Sequence, residues 1–218
     1  MKPSLKEEKK LWKKGYKNVV CLDEVGRGPL AGPVMAAAVL FKRPVLNSGS
    51  PLLQTLKIQD SKKLTQKKRE NLYKIFIAHP TLKWGIGRIS EKVVDKINIL
   101  EATKLAMKKA IERLENKNQR LKIDFLILDG KIKLDLLLPQ KSIVKADEKV
   151  FSCAVASIIA KVSRDRIMDG YHLKYPKYGF NLHKGYLTKL HFKMLKKYGP
   201  CKIHRRTFRP LAKLKKKK

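Results

Sequence analysis

Residues 19–41 contain two apolar segments that are separated by a turn rich in glycine and proline. The first segment ends in two adjacent acids, Asp23 and Glu24, within "CLDEVGRGPLAGPVMAAAVL" (residues 21–40). Such a pattern predicts two neighbouring strands of a buried sheet. A carboxylate in an apolar segment is costly without a partner, so the acid pair needs an explanation. Because adjacent strand residues point to opposite faces, the two acids can share one ion only if the strand ends there and the chain turns.

The rest of the chain alternates apolar strands with longer helical segments, and this order predicts an α/β fold with a mixed sheet flanked by helices. Strands are predicted at 18–23, 33–41, 82–89, 123–128 and 142–145. Helices are predicted from a cap at Thr65, at 90–116 with a break near 97–99, at 149–171 and at 184–197.

The organisation is that of one main domain with charged ends. Residues 1–17 form a basic arm, either a short helix or a loose segment; residues 18–210 form the domain, with a C-terminal helical layer at about 171–210; and residues 211–218 form a basic tail. We expect a monomer.

The charge balance points to a polyanionic partner. Lys and Arg number 52 against 18 Asp and Glu, a formal charge of +34, and 43% of the residues are hydrophobic, enough for a core. Nucleic acid is the simplest partner. An anionic membrane is not favoured, because no apolar run is long enough to cross a bilayer and the first residues lack a signal-peptide core. Three widely separated cysteines form no disulfide framework, which favours the reducing cytoplasm.

Four acids are predicted to gather at one edge of the sheet. Asp23, Glu24 and Asp129 stand where apolar strands stop, and Asp147 follows a short strand. Ordinary alternatives remain for each: surface acids at a hairpin for the pair, and a helix N-cap for Asp147. Carboxylates without His or Cys suit Mg²⁺ or Mn²⁺, and in a basic protein such a site favours two-ion cleavage of a phosphodiester.

Asp165 is the rival for the fourth acid. It shares one helical face with Ser157 and Lys161, and its ordinary interpretation is an ion pair with Lys161 or a flanking arginine.

Several long blocks resemble the type 2 ribonucleases H, the prokaryotic ribonuclease HII family. The opening motif "DEVGRGPLAGPVMAAAV" is followed in the family's order by "DSKKLT" (60–65), "ILDG" (127–130), "VKAD" (144–147), "ASIIAKVSRDRIM" (156–168), "YPKYGFNLHKGYLTKLH" (175–191) and "HRRTFRP" (204–210). The resemblance covers roughly residues 17–210.

The resemblance implies a ribonuclease H-like fold with a C-terminal helical extension. It also implies an endonuclease, dependent on Mn²⁺ or Mg²⁺, that cuts the RNA strand of RNA–DNA hybrids. A further implied activity is incision 5′ of single ribonucleotides in duplex DNA, leaving 3′-OH and 5′-phosphate ends.

By the same resemblance, the metal-binding carboxylates are Asp23, Glu24, Asp129 and Asp147. Gly26, Arg27 and Gly28 match the motif that recognises a ribose 2′-hydroxyl, and Tyr186 matches an aromatic that packs on the neighbouring deoxyribose. Lys62, Lys145 and Ser157 are further candidates for substrate contact, although a solvated lysine is an equally good explanation of the first two.

Two other interpretations compete with an active nuclease. One is a degenerate, inactive relative, but the presence of all four matched carboxylates argues against it. A non-catalytic nucleic-acid-binding protein would explain the charge, but not acids at strand ends, which repel phosphate unless a metal bridges them. A zinc site at His183, His191 and His204 is not expected, because their spacing is poor and no cysteine accompanies them.

Overall fold

The computed structural model describes residues 2–41, 64–119 and 121–214, and within them a five-stranded sheet of order β3-β2-β1-β4-β5. The strands are β1 (Val19–Val25), β2 (Val34–Phe41), β3 (Leu82–Ile89), β4 (Phe125–Asp129) and β5 (Gln140–Ile143). The helices are α1 (Lys6–Lys13), α2 (Gln66–Ala78), α3 (Glu91–Lys117), α4 (Ala146–Lys149), α5 (Phe151–Lys174), α6 (Phe180–His183), α7 (Lys189–Tyr198) and α8 (Leu211–Leu214).

The sheet is mixed, as the sequence predicts. Strands β1, β2 and β3 pair antiparallel, whereas β4 and β5 run parallel to β1. Every residue of β2 is buried, because α3 covers one face of the sheet and α5 covers the other. The central position of β1 places its acids at the middle of one sheet edge.

Strand β1 ends later than the sequence predicts. It continues through Asp23 and Glu24 to Val25, because these three residues still pair with β2. The pairing of β1 with β4 stops earlier, at Leu22 and Leu128. The sheet therefore opens on the β4 side at Asp23, where the pairing with β4 has ended. The predicted turn begins only after Val25, the last residue of β1.

Two other local predictions have clear outcomes. The break expected near 97–99 is present, since Asn98 has φ of 66° inside α3. The helix predicted at 184–197 begins instead at Lys189, so the predicted start is wrong. Lys184 and Gly185 both have positive φ, which a helix does not allow, and the Thr188 side chain accepts from the His191 backbone N–H to cap the later start.

The N-terminal arm was predicted as either a short helix or a loose segment, and it contains the short helix α1. Its Leu11 is buried, and its Glu8 carboxylate, also buried, accepts hydrogen bonds from the backbone N–H and the hydroxyl of Ser152. These contacts join α1 to the first turn of α5.

The C-terminal extension packs on the turn between β1 and β2. Its core contains Leu30, Met168, Phe180, Leu195 and Leu211. The described part of the predicted tail, α8, therefore begins with a buried residue, while residues 215–218 lie outside the described ranges. Among the described helices, none combines the length and apolarity that a membrane crossing requires.

Candidate active site

The sheet brings Asp23 and Asp129 side by side. Leu22 and Leu128 are the last paired residues of the parallel strands β1 and β4, and each acid is the next residue along its strand. Strand β5 continues the edge, since its Ile143 pairs with Asp129. The short helix α4 follows β5 and carries Asp147. Ligands commonly bind at such carboxyl ends of parallel strands.

An open cleft of about 530 Å³ lies at this edge. The predicted residues that line it are Asp23, Glu24, Gly26, Arg27, Gly28, Asp129, Asp147, Ser157 and Tyr186. The structure therefore gathers in one place residues that are up to 163 positions apart in the chain, from 23 to 186. It brings together all four predicted acids.

The neighbouring carboxylates of the cleft repel one another. Burial raises the pKa of the Asp23 carboxyl well above its usual range, and the neighbouring charges of Glu24 and Asp129 raise it further. Burial also raises the pKa of Glu24, although Arg27, whose Nη1 donates to Glu24 Oε1 at 3.1 Å, opposes the rise. A cation placed among these carboxylates would offset both the cost of burying their charges and the repulsion between them.

Backbone contacts hold the acids in place. Asp23 Oδ1 accepts from the Glu24 N–H at 2.8 Å, and Asp129 Oδ1 accepts from the Ala146 N–H at 2.6 Å. The second bond ties the end of β4 to α4. Asp147, only 1% exposed, lies inside α4, whose N-cap is Lys145. The N-cap alternative for Asp147 is therefore not what the structure shows.

Asp165 does not line the cleft. It is buried on α5, where its Oδ1 accepts from Lys161 Nζ at 2.8 Å. This ion pair is the ordinary interpretation of Asp165, whereas Asp147 lines the cleft.

The oxygen-only donor set fits a hard divalent ion. Glu24 Oε2 is buried and has no hydrogen-bond partner within the described part of the chain, which leaves a carboxylate oxygen ready for a cation. As they stand, no three Asp, Glu, His or Cys side chains of the described ranges form a closed ion cage. The Glu24 and Asp129 side chains accept hydrogen bonds from Arg27 and from the Ala146 N–H.

The loop after β1 is fixed from below by a buried arginine. Arg205 donates to the carbonyls of Gly26, Arg27 and Gly32 at 2.6 to 3.0 Å. Gly26 has φ of 89°, and a Cβ there would collide with the Pro33 carbonyl and the Arg164 side chain. The loop conformation therefore requires glycine at position 26.

Comparisons with known proteins agree with this geometry. The family model described as Ribonuclease HII matches residues 20–211. A ribonuclease HII from Caldicellulosiruptor saccharolyticus is 46% identical over 201 residues, which cover 92% of this chain and 91% of that protein. The solved ribonuclease H2 from Pyrococcus horikoshii OT3 superposes with a TM-score of 0.69 at 25% identity, covering 91% and 97% of the two chains.

The chain belongs to the ribonuclease HII family. It is accordingly a ribonuclease H, a hydrolase that acts on RNA–DNA hybrids. Its fold is also that of Bst-RNase HIII, solved in complex with Mn²⁺, which superposes with a TM-score of 0.66 at 17% identity over 90% of this chain and 68% of that one. The predicted family and the ribonuclease H-like fold class are thus confirmed.

The remaining predicted contact residues of this ribonuclease HII lie in different places. Ser157 lines the cleft and its side chain hydrogen-bonds to Asp23. Lys145 lies outside the lining residues, and its ammonium is 3.4 Å from Glu148. Lys62 falls outside the described residues.

Several basic residues at the site were not predicted to contribute to it. Arg69 and Lys161 line the cleft and add positive charge to its rim. Arg164 and Arg205 are fully buried and bind backbone carbonyls. In a chain with 52 lysines and arginines, composition and periodicity do not distinguish such residues from solvated ones, and the only signal is that Lys161, Arg164 and Arg205 lie in the blocks 156–168 and 204–210 that resemble ribonuclease HII.

The three histidines do come together, although their sequence spacing did not suggest it. The rings of His183 and His191 stack at 4.3 Å, and His191 Nε2 lies 3.0 Å from His204 Nε2. Their nitrogens contact one another and backbone groups. The expectation that no cysteine accompanies these histidines is wrong, since Cys201 Sγ lies 3.1 Å from His204 Nδ1. The described residues form no ion cage here either.

Proposed function

We propose that this ribonuclease HII cuts on the 5′ side of a ribonucleotide embedded in duplex DNA, as well as within RNA–DNA hybrids, and leaves 3′-OH and 5′-phosphate ends. The observation that carries the proposal is the meeting of four acids with a glycine loop and an exposed tyrosine in one cleft. The acids suit phosphodiester chemistry, and the other two elements suit recognition of a sugar.

Asp23, Glu24, Asp129 and Asp147 are the residues that would hold divalent ions, Mn²⁺ or Mg²⁺. Two such ions supply an activated water and charge stabilisation at the leaving oxygen. The protein's part is to fix the carboxylates by packing and backbone hydrogen bonds. The raised pKa of Asp23 and the unpartnered Glu24 Oε2 support this assignment. Mn²⁺, which is bound in the structure of Bst-RNase HIII, is the ion to test first.

The glycine loop would read the 2′-hydroxyl. Arg205 binds the carbonyls of Gly26 and Arg27, so those oxygens point toward the buried guanidinium. In a trans peptide, the N–H of the next residue points the opposite way. The N–H groups of Arg27 and Gly28 therefore point away from Arg205. A hydroxyl can accept from such N–H groups whatever the base, and it distinguishes RNA from DNA.

Tyr186 would lie against the neighbouring deoxyribose. Its side chain is 41% exposed, and a Cβ placed on Gly28 would be 3.8 Å from Tyr186 Cε1. A ring presented so close to the glycine loop is suited to the next sugar of the strand. A 2′-hydroxyl there would meet the ring, so the pair favours a step from RNA to DNA.

Arg27, Arg69 and Lys161 would meet the phosphates around the scissile bond, with Lys62, Lys145 and Ser157 as further proposed contacts. A passive nucleic-acid-binding protein remains the second candidate for a chain of this charge. It does not account for the acids that line the cleft, which would repel phosphate without an ion. We also propose that the enzyme acts as a monomer and, given its free cysteines, in the reducing cytoplasm.

Substitution of the acids tests the proposal. Asp129→Asn should lower cleavage of a hybrid and of a singly ribonucleotide-substituted duplex by at least about 10³-fold, because a ligand charge for the ion is lost. Duplex binding should persist. Asp147→Asn should be similarly impaired, whereas Asp165→Asn, the matched control on α5, should retain most activity. An inactive Asp165→Asn beside an active Asp147→Asn would show that the fourth ligand is assigned wrongly.

A further inference from the structure

The proposed recognition of an RNA-to-DNA step depends on two separate chain segments. Other residues must hold these two segments in fixed relative positions. The glycine loop follows β1, whereas Tyr186 belongs to the C-terminal extension. Resting on the proposed function, we infer that the adjacent residues His204 and Arg205 are positioning residues that fix Tyr186 against the glycine loop and thereby set the selectivity for an RNA-to-DNA step.

Arg205 controls the loop. Its side chain is fully buried, and its fork donates to three carbonyls that lie on both limbs of the turn, at Gly26, Arg27 and Gly32. Burial and the nearby Arg164 lower the pKa of Arg205 to about 9, which still leaves it charged at neutral pH. A lysine has three donors at one point and cannot span both limbs.

His204 positions Tyr186 through the imidazole ring of His191. Its Nδ1 accepts from the Cys201 N–H at 2.9 Å, so the ring proton is on Nε2. That Nε2 donates to His191 Nε2 at 3.0 Å, and His191 Nδ1 then donates to the Tyr186 carbonyl at 2.8 Å. A backbone donor at one end and a backbone acceptor at the other thus fix both tautomers.

The hydrogen bonds from Cys201 through His204 and His191 to Tyr186 require neutral imidazole rings, and the environment keeps both rings neutral. Burial lowers the pKa of His191 to about 4 and that of His204 to about 3. A protonated His191 could not accept from His204. The contacts therefore stay intact over the pH range in which the enzyme would be assayed.

The two side chains are coupled because they are adjacent on one backbone segment. His204 forms a bridge with Ala31, and the Arg205 N–H donates to the Leu30 carbonyl at 2.8 Å. The Leu30 N–H in turn donates to the carbonyl of Gly185, the residue before Tyr186, at 2.8 Å. A shift of residues 204–205 would move the loop and the tyrosine relative to each other.

A merely structural role for His204 predicts something different. It would lower stability and slow cleavage of every substrate alike. A positioning role instead changes the ratio of two specificity constants, kcat/KM for a single embedded ribonucleotide over kcat/KM for a continuous hybrid, since the hybrid offers no junction to read.

The decisive experiment measures this ratio and the melting temperature in parallel. His204→Phe keeps the ring but removes the donor to His191, and we expect the ratio to fall about tenfold, the effect of one lost hydrogen bond. His204→Gln restores a donor and should recover most of the ratio. The matched control is Tyr178→Phe, which keeps the aromatic ring that packs against His204, removes only the hydrogen bond to the Gly199 carbonyl and should leave the ratio unchanged.

Arg205→Lys provides a second variant with the charge retained, in case His204→Phe does not fold. This variant should also lower the ratio, because the loop loses the guanidinium that donates to carbonyls on both limbs of the turn. A selective wild type with equally selective His204→Phe and Arg205→Lys variants would overturn the inference alone. A wild type that does not incise the embedded ribonucleotide would overturn the proposed function, and the inference with it.

Discussion

At the scale of single residues, Gly26 and Gly28 occupy one loop but are glycine for different reasons. Gly26 has a positive φ and no space for a Cβ, so its requirement lies in the folded protein itself. Gly28 has no such backbone constraint, and the nearest atom to an added Cβ is Tyr186 Cε1 at 3.8 Å, an ordinary contact distance. Its requirement, on our account, lies in the approach of a sugar.

This difference predicts opposite outcomes for two alanine substitutions. Gly28→Ala should change the melting temperature by no more than about 1 °C and yet lower incision at an embedded ribonucleotide about tenfold or more, since the methyl group blocks the sugar. Gly26→Ala should lower the melting temperature by several degrees, because strain and collision cost on the order of 2 kcal/mol. Thermal unfolding and a cleavage assay distinguish them. A Gly28→Ala enzyme that is stable and fully active would remove the loop from substrate recognition.

The candidate acids show what can be predicted at this scale. Asp23, Glu24 and Asp129 were predictable because each interrupts an apolar strand, where a carboxylate is conspicuous. Arg205 was not predictable, since its importance comes from burial against carbonyls of a loop more than 170 positions away, from 205 back to 32 and beyond. One sequence does not reveal which of its many arginines is buried.

At the scale of elements, helix α1 provides a cap for α5. The N-cap residue of α5, Val150, has no side chain that can cap, and the Ser152 N–H in the first turn donates instead to Glu8 Oε1 at 3.0 Å. A carboxylate at this position also interacts favourably with the helix dipole. Helix α5 carries Ser157 and Lys161 into the cleft, so α1 stabilises the N-terminal end of an element of the active site.

The burial of Glu8 predicts an unusual pH dependence of stability. Burial raises the pKa of Glu8 above its ordinary value. The contribution of such a group to folding is fully present below the unfolded-state pKa and is lost as the pH rises through the folded-state pKa. Glu8→Gln keeps an acceptor for Ser152 without the charge. Its melting temperature should therefore gain on that of the wild type as the pH rises from about 4 to about 8.

Neighbouring Glu7 is the control, because its pKa shift has the opposite sign. Hydrogen bonding to Lys141 lowers the pKa of Glu7, so its small contribution is present above the unfolded-state pKa and is lost as the pH falls. Glu7→Gln should show little change, and in the other direction. A Glu8→Gln melting temperature that falls relative to that of the wild type as the pH rises would contradict the assigned burial effect.

Element boundaries depended on contacts that lie outside each segment. The strand at 82–89 was predicted with its observed bounds, because apolar alternation sufficed. Strand β1 extends to Val25 only because β2 continues to pair with it. Helix α7 begins at Lys189 because Gly185 adopts a positive φ under the Ala31 carbonyl, a contact that local propensity does not contain.

At the scale of the whole molecule, a strongly basic chain holds four acids in one cleft. The net charge of +34 favours any polyanion and supplies no selectivity by itself. Selectivity must come from the cleft, where four acids, a glycine loop and Tyr186 converge from the sheet and from the extension. The fold class followed from the order of strands and helices, whereas this convergence became visible only in three dimensions.

The most direct test of the central claim is to map the cut in a labelled DNA duplex that contains one ribonucleotide, with and without Mn²⁺ or Mg²⁺. We expect one ion-dependent incision on the 5′ side of the ribonucleotide, with a 3′-OH and a 5′-phosphate at the nick and no cleavage of the all-DNA duplex. Incision on the 3′ side, incision without an added ion in the presence of chelator, or an uncut duplex beside an efficiently cut continuous hybrid would contradict it.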